Sequence, residues 1–269
     1  MNFAGLGITH AAPVSGGCIH RCYRGERDGR AVFLKLNEAR FADTFAAEAD
    51  GLRALRGAGG TTPEPLAHGA LGDSAYLLLE FLDLRSSGDS AALGTMLASV
   101  HRHQADRFGW QRDNYIGSTP QQNGWRESWI AFWRERRLEP QIALALANGY
   151  RIEVPPVWRL LEGHEPTPSL LHGDLWSGNA AFLPDGAPVL FDPAVYYGDR
   201  EADLAMAELF GGFAQEFYAA YNAAWPLAPG YELRKHLYNL YHLLNHLNLF
   251  GGGYLAQVRA ALRLLARGL

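Results

Sequence analysis

Two acids and an amide stand out in the stretch HGDLWSGNAAFLPDGAPVLFD, residues 172–192. They are Asp174, Asn179 and Asp192, and a hairpin of two short apolar strands is predicted between the last two. Phosphoryl transfer needs a carboxylate that orients the attacking hydroxyl, and oxygen ligands that hold Mg²⁺ on nucleotide phosphates. Asp174 fits the first role, and Asn179 and Asp192 fit the second. The alternative interpretation is an Asp-Gly-Asn turn cluster that binds no ligand.

Upstream of this stretch, a lysine lies inside a predicted apolar strand. The strand is AVFLKL, residues 31–36, and Lys35 has leucine on both sides. A lysine among such neighbours needs an anionic partner or a bound phosphate. Glu48, on a helix predicted at 41–56, can supply the partner, and the pair would place the ammonium against nucleotide phosphates. Alone, Lys35 is better explained as facing solvent; together with residues 172–192, it favours a phosphate site.

Small residues precede the first predicted strand, at 19–24. Gly16 and Gly17 follow Ser15 and would let backbone N–H groups approach phosphates closely. The segment matches neither a P-loop nor a full G-x-G-x-x-G pattern, so on its own an ordinary turn explains it equally well. Its place ahead of the Lys35 strand favours the phosphate-binding interpretation.

Periodicity divides the chain into two lobes. Residues 1–81 combine a hairpin, one helix and a buried strand at 75–81, whereas residues 82–269 are mainly helical. The predicted helices of the second lobe lie near 89–105, 125–149, 201–225, 231–250 and 253–267. We therefore predict an α+β fold with a small antiparallel-sheet lobe and a larger helical lobe. The backbone groups that stand where the lobes join are candidates to bind adenine, and they belong to Glu80, Phe81 and Leu82.

Composition excludes several classes of protein. The 269 residues are 48% hydrophobic and 19% charged, which is typical of a globular chain. A net charge of -4 lacks the usual electrostatic footprint of a nucleic-acid or anionic-membrane binder. No apolar run reaches the ~18 residues of a membrane span, and no signal-peptide pattern opens the chain. We expect a cytoplasmic protein with no nucleic-acid or membrane partner.

The chain has two cysteines, Cys18 and Cys22. In an extended segment their Cα atoms would be roughly 13 Å apart, beyond the ~7 Å limit of a disulfide. Both thiols are therefore expected to be reduced and structural. The alternative hypothesis is that Cys18 oxidises or cross-links two chains, so the expected state is a monomer or a redox-linked dimer.

The motifs together resemble one known family, the fructosamine (ketosamine) kinases, in the aminoglycoside-phosphotransferase-like branch of the protein-kinase fold. The signature-like segments are LLHGDLWSGN (170–179) and FDPAVYYGDREADLAMAELFGGF (191–213). Further similarity lies in FGWQRDNYIGSTPQQNGW (108–125) and LNHLNLFG (244–251). The resemblance covers nearly the whole chain and implies a two-lobed kinase-like fold.

The resemblance also implies a reaction and its participants. The reaction would be ATP- and Mg²⁺-dependent phosphorylation of a sugar hydroxyl on a ketoamine, giving a 3-phosphate that decomposes and frees the amine. Deglycation of small ketoamines or of glycated lysines on proteins would result. In this assignment Asp174 is the catalytic base, Asn179 and Asp192 are metal ligands, and Lys35 with Glu48 binds the phosphates.

Other polar and aromatic residues are candidates for the substrate site. Amides in the loop near 114–125 suit a polyhydroxylated ligand, and a polar stripe on the helix at 231–250 could line the sugar pocket. Loop capping and a buried hydrogen-bond network are the respective alternatives. The candidate substrate residues are Asn114, Gln121, His172, Trp176, Asn245 and His246.

Two other functions remain open at this level. The same fold could phosphorylate a different small alcohol, such as an aminoglycoside or choline. A chain of this kind could also be a nucleotide-binding regulator without turnover, although such a protein has no chemical need for the complete set of Lys35, Glu48, Asp174, Asn179 and Asp192. Asp203 is expected either to hold the catalytic loop through hydrogen bonds or to cap a helix.

Overall fold

The computed structural model describes residues 3–14 and 20–269. A five-stranded antiparallel sheet forms the first lobe, in the spatial order β1-β2-β3-β5-β4. The strands are β1 (Thr9–Val14), β2 (Arg21–Arg27), β3 (Arg30–Glu38), β4 (Pro65–Leu71) and β5 (Ser74–Glu80). Asp28 and Gly29 join β2 to β3 with φ values of 52° and 73°, as expected for a two-residue Asp-Gly hairpin turn.

One helix, α1 (Ala42–Gly57), packs on this sheet. Its apolar residues recur at three- and four-residue steps, so Phe45, Ala49 and Leu52 form one face that packs on Leu77 and other residues of β5. The helix predicted at 41–56 is confirmed. Burial of this face places Glu48 next to β3.

The second lobe is mainly helical. Its helices are α2 (Ser90–His101), α3 (Trp129–Phe132), α4 (Glu139–Ala147), α5 (Glu201–Leu209), α6 (Gln215–Ala224), α7 (Tyr231–Phe250) and α8 (Leu255–Leu265). A π-helical stretch, Trp133–Leu138, joins α3 to α4. The α+β class predicted from periodicity is confirmed.

The helix predicted at 201–225 is interrupted. Gly211 and Gly212 adopt φ values of 99° and 69° between α5 and α6, because two consecutive glycines favour a break over a continued helix. The prediction of a single helix was wrong here. The interruption lets α5 pack on α7 while α6 packs on α2.

Three short antiparallel pairs complete the second lobe. They are β6 (Asn114–Ile116) with β7 (Thr119–Gln121), β8 (Ser169–Leu171) with β11 (Tyr196–Gly198), and β9 (Ala180–Phe182) with β10 (Pro188–Leu190). The β9–β10 hairpin is the one predicted between Asn179 and Asp192. Within the described ranges, no helix combines the length and apolar character needed to span a membrane.

Candidate active site

The loop at 172–179, named the catalytic loop after the role expected of Asp174, connects β8 to β9 and is held in shape by one buried acid. Asp203, on α5, accepts hydrogen bonds from the backbone N–H groups of His172 at 2.7 Å and Gly173 at 2.8 Å. Gly173 has a φ of 82°, and a Cβ there would lie 2.0 Å from the carbonyl oxygen of Ala194. No other residue fits this position without displacing the backbone. Of the two roles expected for Asp203, support of the loop is confirmed.

Asp174 projects from this loop next to Asn179. The Asn179 amide donates to the Asp174 carbonyl oxygen at 2.9 Å and to its Oδ2 at 3.2 Å. Burial, followed by the negative charge of Asp192, raises the pKa of Asp174 to about 7. A carboxyl group whose pKa lies near the working pH suits general-base catalysis. The geometry therefore allows Asp174 to take the proton of a hydroxyl.

Lys35 joins the sheet to the helical lobe. Its ammonium donates to Glu48 Oε1 at 2.7 Å and also to Asp192 Oδ1. The lysine is 6% exposed and Glu48 9%, whereas the Asp192 side chain is 48% exposed. Lys35 and Glu48, which are 13 residues apart in the sequence, thus form the predicted buried pair.

Lys35, Glu48 and Asp192 form a charged triad in which each group shifts the pKa of the others. Burial opposes the charge of Lys35, but Asp192 and Glu48 outweigh it and raise its pKa. Burial also raises the pKa of Glu48 to about 7, whereas the ammonium outweighs burial at Asp192 and lowers its pKa. Asp192 therefore carries the firmly ionised carboxylate of the triad.

Asp192 and Asn179 place oxygen atoms that could bind a metal ion where the two lobes meet. Asp192 has a φ of 54°, an uncommon conformation that costs of order 1–3 kcal/mol and recurs at functional sites. Its Oδ1 binds Lys35, and the Asn179 nitrogen faces Asp174, which leaves Asp192 Oδ2 and Asn179 Oδ1 as acceptors. Carboxylate and amide oxygens suit Mg²⁺. The residues present therefore fit the expected metal.

The residues expected at the adenine lie where β5 ends. The N–H of Glu80 donates to Glu64 at 2.9 Å, and the N–H of Phe81 donates to Ala31 at 3.3 Å. Both groups are therefore engaged within the first lobe. Leu82 is the first residue past these bonds and lies at the passage into the helical lobe.

The glycine segment lies outside the described residues. This applies to Gly16 and Gly17 and also to Cys18, so phosphate binding by the loop and a redox-linked dimer stay predictions. Cys22 is described: it lies in β2, is buried and is a free thiol.

Four of the six candidate substrate residues are buried and hydrogen-bonded within the protein, and their contact with a substrate stays a prediction. His172 is 0% exposed, and its ring nitrogens contact Phe191 O at 3.0 Å and the N–H of Asp174 at 3.3 Å. Asn114 and Gln121 bind each other and backbone carbonyls, while Asn245 accepts from Gln141 at 3.0 Å. These side chains present almost no surface to a ligand.

The other two candidates keep exposed surface. Trp176, in the catalytic loop, is 39% exposed, and its indole lies against Gly178. His246 is half-buried, with its ring 4.5 Å from the ring of Phe210 and 5.1 Å from that of Tyr254. Of these two, Trp176 is the candidate close to Asp174 in the chain, two residues after it.

Sequence reasoning missed the residue that binds Asp203 from behind the catalytic loop, His101. His101, the last residue of α2, is fully buried and contacts Asp203 Oδ2 at 3.1 Å and the Tyr221 hydroxyl at 2.8 Å. Its partners are 102 and 120 residues away in sequence. No local pattern could have revealed contacts at that separation.

A second polar cluster lies at the start of α5. One ligand atom from each of His164, Asp199 and Glu201 falls within 4.8 Å of the others. Both oxygens of Glu201 accept from Arg234 at 2.7 Å, and Asp199 Oδ2 accepts from Tyr238 at 2.5 Å. The neutralised carboxylates indicate a structural network rather than a metal site.

Comparisons with known proteins agree with this arrangement. Residues 3–267 match the family model described as fructosamine kinase. A Synechocystis protein named as a probable ketoamine kinase is 48% identical, covering 95% of this chain and 90% of its own length. The chloroplastic protein-ribulosamine 3-kinase of Arabidopsis thaliana is 41% identical, covering 92% of this chain and 79% of its own length.

Solved structures show the same architecture. A Haemophilus somnus protein assigned as a fructosamine-3-kinase superposes with a TM-score of 0.89 at 30% identity, covering 96% of this chain and 91% of that one. An aminoglycoside phosphotransferase in complex with ADP and hygromycin B superposes with a TM-score of 0.61 at 14% identity, covering 97% of this chain and 93% of that one. The second likeness shows a shared kinase-like fold.

Proposed function

Because this chain belongs to the fructosamine kinase family and is a kinase that transfers phosphate to an alcohol, we propose that it transfers the γ-phosphate of ATP to the 3-hydroxyl of a ketoamine sugar. The relatives named as ketoamine kinases support the substrate class. The Arabidopsis relative, named as a 3-kinase, supports the position of transfer.

The single observation that carries the proposal is the convergence of Asp174, Asn179 and Asp192 with the Lys35–Glu48 pair. In this assignment Asp174 orients the sugar hydroxyl and accepts its proton as the O–P bond forms. Its pKa of about 7 places a substantial fraction in the carboxylate form at neutral pH. Asp203 holds the loop that carries Asp174 through the N–H groups of His172 and Gly173.

The remaining residues bind and orient the nucleotide. Lys35 directs its ammonium at the phosphates, while Glu48 keeps the ammonium charged and in place. Asn179 and Asp192 would hold Mg²⁺, which when bound neutralises charge on the phosphate oxygens. At the other end of the nucleotide, the backbone of Leu82 is the candidate donor to adenine.

On the acceptor side, the exposed indole of Trp176 offers an apolar face to the sugar beside Asp174. His246 is the further candidate for the substrate pocket. The product of transfer to the 3-hydroxyl would decompose and release the amine, so the physiological result would be deglycation of small ketoamines or of glycated lysines on proteins.

An acceptor panel tests the proposal. Purified protein is assayed for Mg²⁺-dependent ADP release with fructosyl-lysine, ribulosyl-lysine, hygromycin B, choline and no acceptor. We expect turnover with the ketoamines alone and a phosphorus NMR signal of a sugar 3-phosphate in the product.

Three results would contradict all or part of it. Faster turnover with hygromycin B or choline than with either ketoamine would reject the substrate class. ATP binding without transfer to any acceptor would favour the alternative function, a nucleotide-binding regulator without turnover. A product phosphorylated at another carbon would reject the position of transfer and leave the class intact.

A further inference from the structure

The hairpin at residues 112–123, which contains β6 and β7, contacts the helix that carries Glu48. Arg112 donates through Nη1 to Asp50 Oδ2 at 2.9 Å and through Nη2 to Asp43 Oδ1. Tyr115 donates its hydroxyl to Asp43 Oδ2 at 3.1 Å. Both acids belong to α1, so a segment of the helical lobe is bonded to the helix of the first lobe.

The same hairpin also holds the chain that follows Asp192. Asn114 donates through Nδ2 to the carbonyl oxygen of Val195 at 2.8 Å. Gln121 donates through Nε2 to the carbonyl oxygen of Ala194 at 3.1 Å. These two carbonyls lie within three residues of Asp192. The hairpin is therefore connected to both carboxylates that bind Lys35, through α1 on one side and through residues 194–195 on the other.

The hairpin itself is fixed to the core of the helical lobe. Arg137, which is 0% exposed, donates to Gln122 O and to Asn123 Oδ1, each at 2.7 Å. Tyr241 donates its hydroxyl to Gln121 Oε1 at 2.7 Å. Since these anchors are buried, the hairpin is a firm support rather than a mobile loop.

The position of α1 decides whether Glu48 reaches Lys35. Glu48 lies between Asp43 and Asp50 on the helix, and Gly51 packs on Pro193, where an added Cβ would lie 3.0 Å from the ring. A rotation or outward shift of α1 would separate the buried pair. Arg112 opposes such a shift at two points, one near the start of the helix and one near its middle.

We propose that Arg112 is a positioning residue for phosphate transfer: it holds α1 against the helical lobe so that Glu48 and Asp192 meet at Lys35. The inference rests on the proposed function, since it assigns Lys35 to the nucleotide phosphates. Arg112 acts through α1. Its removal therefore weakens nucleotide binding and slows transfer, while acceptor binding by the helical lobe is unchanged.

The test compares Arg112→Gln with a matched control, Arg159→Gln, which breaks a surface ion pair of 2.9 Å with Glu162 elsewhere in the helical lobe. Calorimetry measures the Kd of MgATP, and steady-state kinetics measure kcat and the KM of the ketoamine. For Arg112→Gln we expect a Kd about three- to tenfold higher and a kcat about tenfold lower. The KM of the ketoamine should stay within about twofold, and the control should match the wild type.

Two further variants separate positioning from a loss of folded protein. Arg112→Lys, which keeps one charge but not the two-pronged contact, should recover part of the Kd and kcat. Asp43→Asn removes the charge that Arg112 meets near the start of α1 and leaves the contact with Asp50 in place. The Asp43 side chain is 59% exposed, so this variant replaces Arg112→Gln if Arg112→Gln does not fold. Combined with Arg112→Gln, it should add less than its own single effect.

Wild-type Kd and kcat in folded Arg112→Gln would overturn the inference, as would a kcat that falls only in proportion to the folded fraction with Kd unchanged. The calorimetric readout needs no acceptor. A wild-type protein inactive on every ketoamine, combined with weaker MgATP binding by Arg112→Gln, would therefore reject the proposed function and keep the positioning role of Arg112.

Discussion

The cluster around Asp174 and Asp192 and the cluster around Asp199 and Glu201 are built from the same residue types in neighbouring stretches of chain, but their acids are neutralised differently. In the second cluster Arg234 binds both oxygens of Glu201. Asp199 accepts from the N–H of Glu201, from His164 and from Tyr238. Each carboxylate oxygen there has a donor from the protein.

The first cluster is left with uncompensated negative charge. Asp174 accepts from the neutral amide of Asn179 and lies near Asp192, whose charge helps raise its pKa to about 7. Lys35 is shared between Asp192 and Glu48. Unneutralised acids with exposed oxygens need a cation or a substrate proton, whereas fully bonded ones stabilise the fold. The distance between carboxylate oxygens alone therefore does not distinguish a reactive cluster of acids from a structural one.

Asp174→Asn should cause the largest loss of turnover of any substitution in the two clusters. Because the amide cannot accept the hydroxyl proton, kcat should fall by ~10² to 10⁴-fold. MgATP affinity should stay close to that of the wild type. Steady-state ADP release and calorimetry provide the two readouts, with Asp185→Asn as the control because Asp185 is an exposed acid in the neighbouring β9–β10 turn. Wild-type turnover would remove Asp174 from the mechanism.

In the second cluster, Glu201→Gln should affect the fold and not the chemistry. Glu201 is 1% exposed, and the change leaves the Arg234 guanidinium facing an amide. Breaking a buried pair in this way costs roughly 3–5 kcal/mol of unfolding free energy. Urea denaturation measures this loss.

The kcat of the protein that remains folded should be unchanged. Glu216→Gln, at an exposed acid in the first turn of α6, is the control and should have little effect on either quantity. A kcat loss in folded Glu201→Gln as large as that of Asp174→Asn would mean that the second cluster also takes part in the reaction.

The residues of the first cluster could be predicted from the sequence because their signals are local. Asp174, Asn179 and Asp192 lie within 19 consecutive residues, and Lys35 stands out as a charge inside an apolar strand. Local spacing and local polarity are both visible in a sequence. The main sheet hairpin, α1 and α7 were predictable for the same reason, since their periodicity and turn residues are local.

Long-range partners account for what was not predicted. The amide of Asn114 bonds Val195, 81 residues away, and residue type alone does not distinguish such a buried network from a ligand site. β1 was missed because THAAPV is exposed and lacks alternation. β4 was missed because PLAHGAL contains proline and glycine, which are depleted in strands. Both strands form because they pair with a neighbouring strand of the sheet, β1 with β2 and β4 with β5.

Asp203 shares one property with each cluster. Both of its oxygens accept hydrogen bonds, as in the second cluster, and it supports the loop that carries Asp174 of the first. Asp203→Asn replaces one acceptor oxygen by an amide facing the N–H groups of the catalytic loop or His101. We expect a loss of about 2–3 kcal/mol of unfolding free energy and a smaller loss of kcat than with Asp174→Asn.

The pH dependence of that loss separates Asp203 from an ordinary buried contact. Burial opposes its charge, but His101 and the loop N–H groups outweigh it and hold the pKa of Asp203 below its ordinary value of 3.8. A depressed carboxyl pKa stabilises the fold fully above the unfolded pKa and loses that effect as pH falls below it. Denaturation at a series of pH values should therefore give a constant difference between wild type and Asp203→Asn above about pH 5, shrinking below about pH 4. A difference that persists undiminished at acid pH would show that the loss comes from packing rather than from the carboxylate charge that holds the catalytic loop.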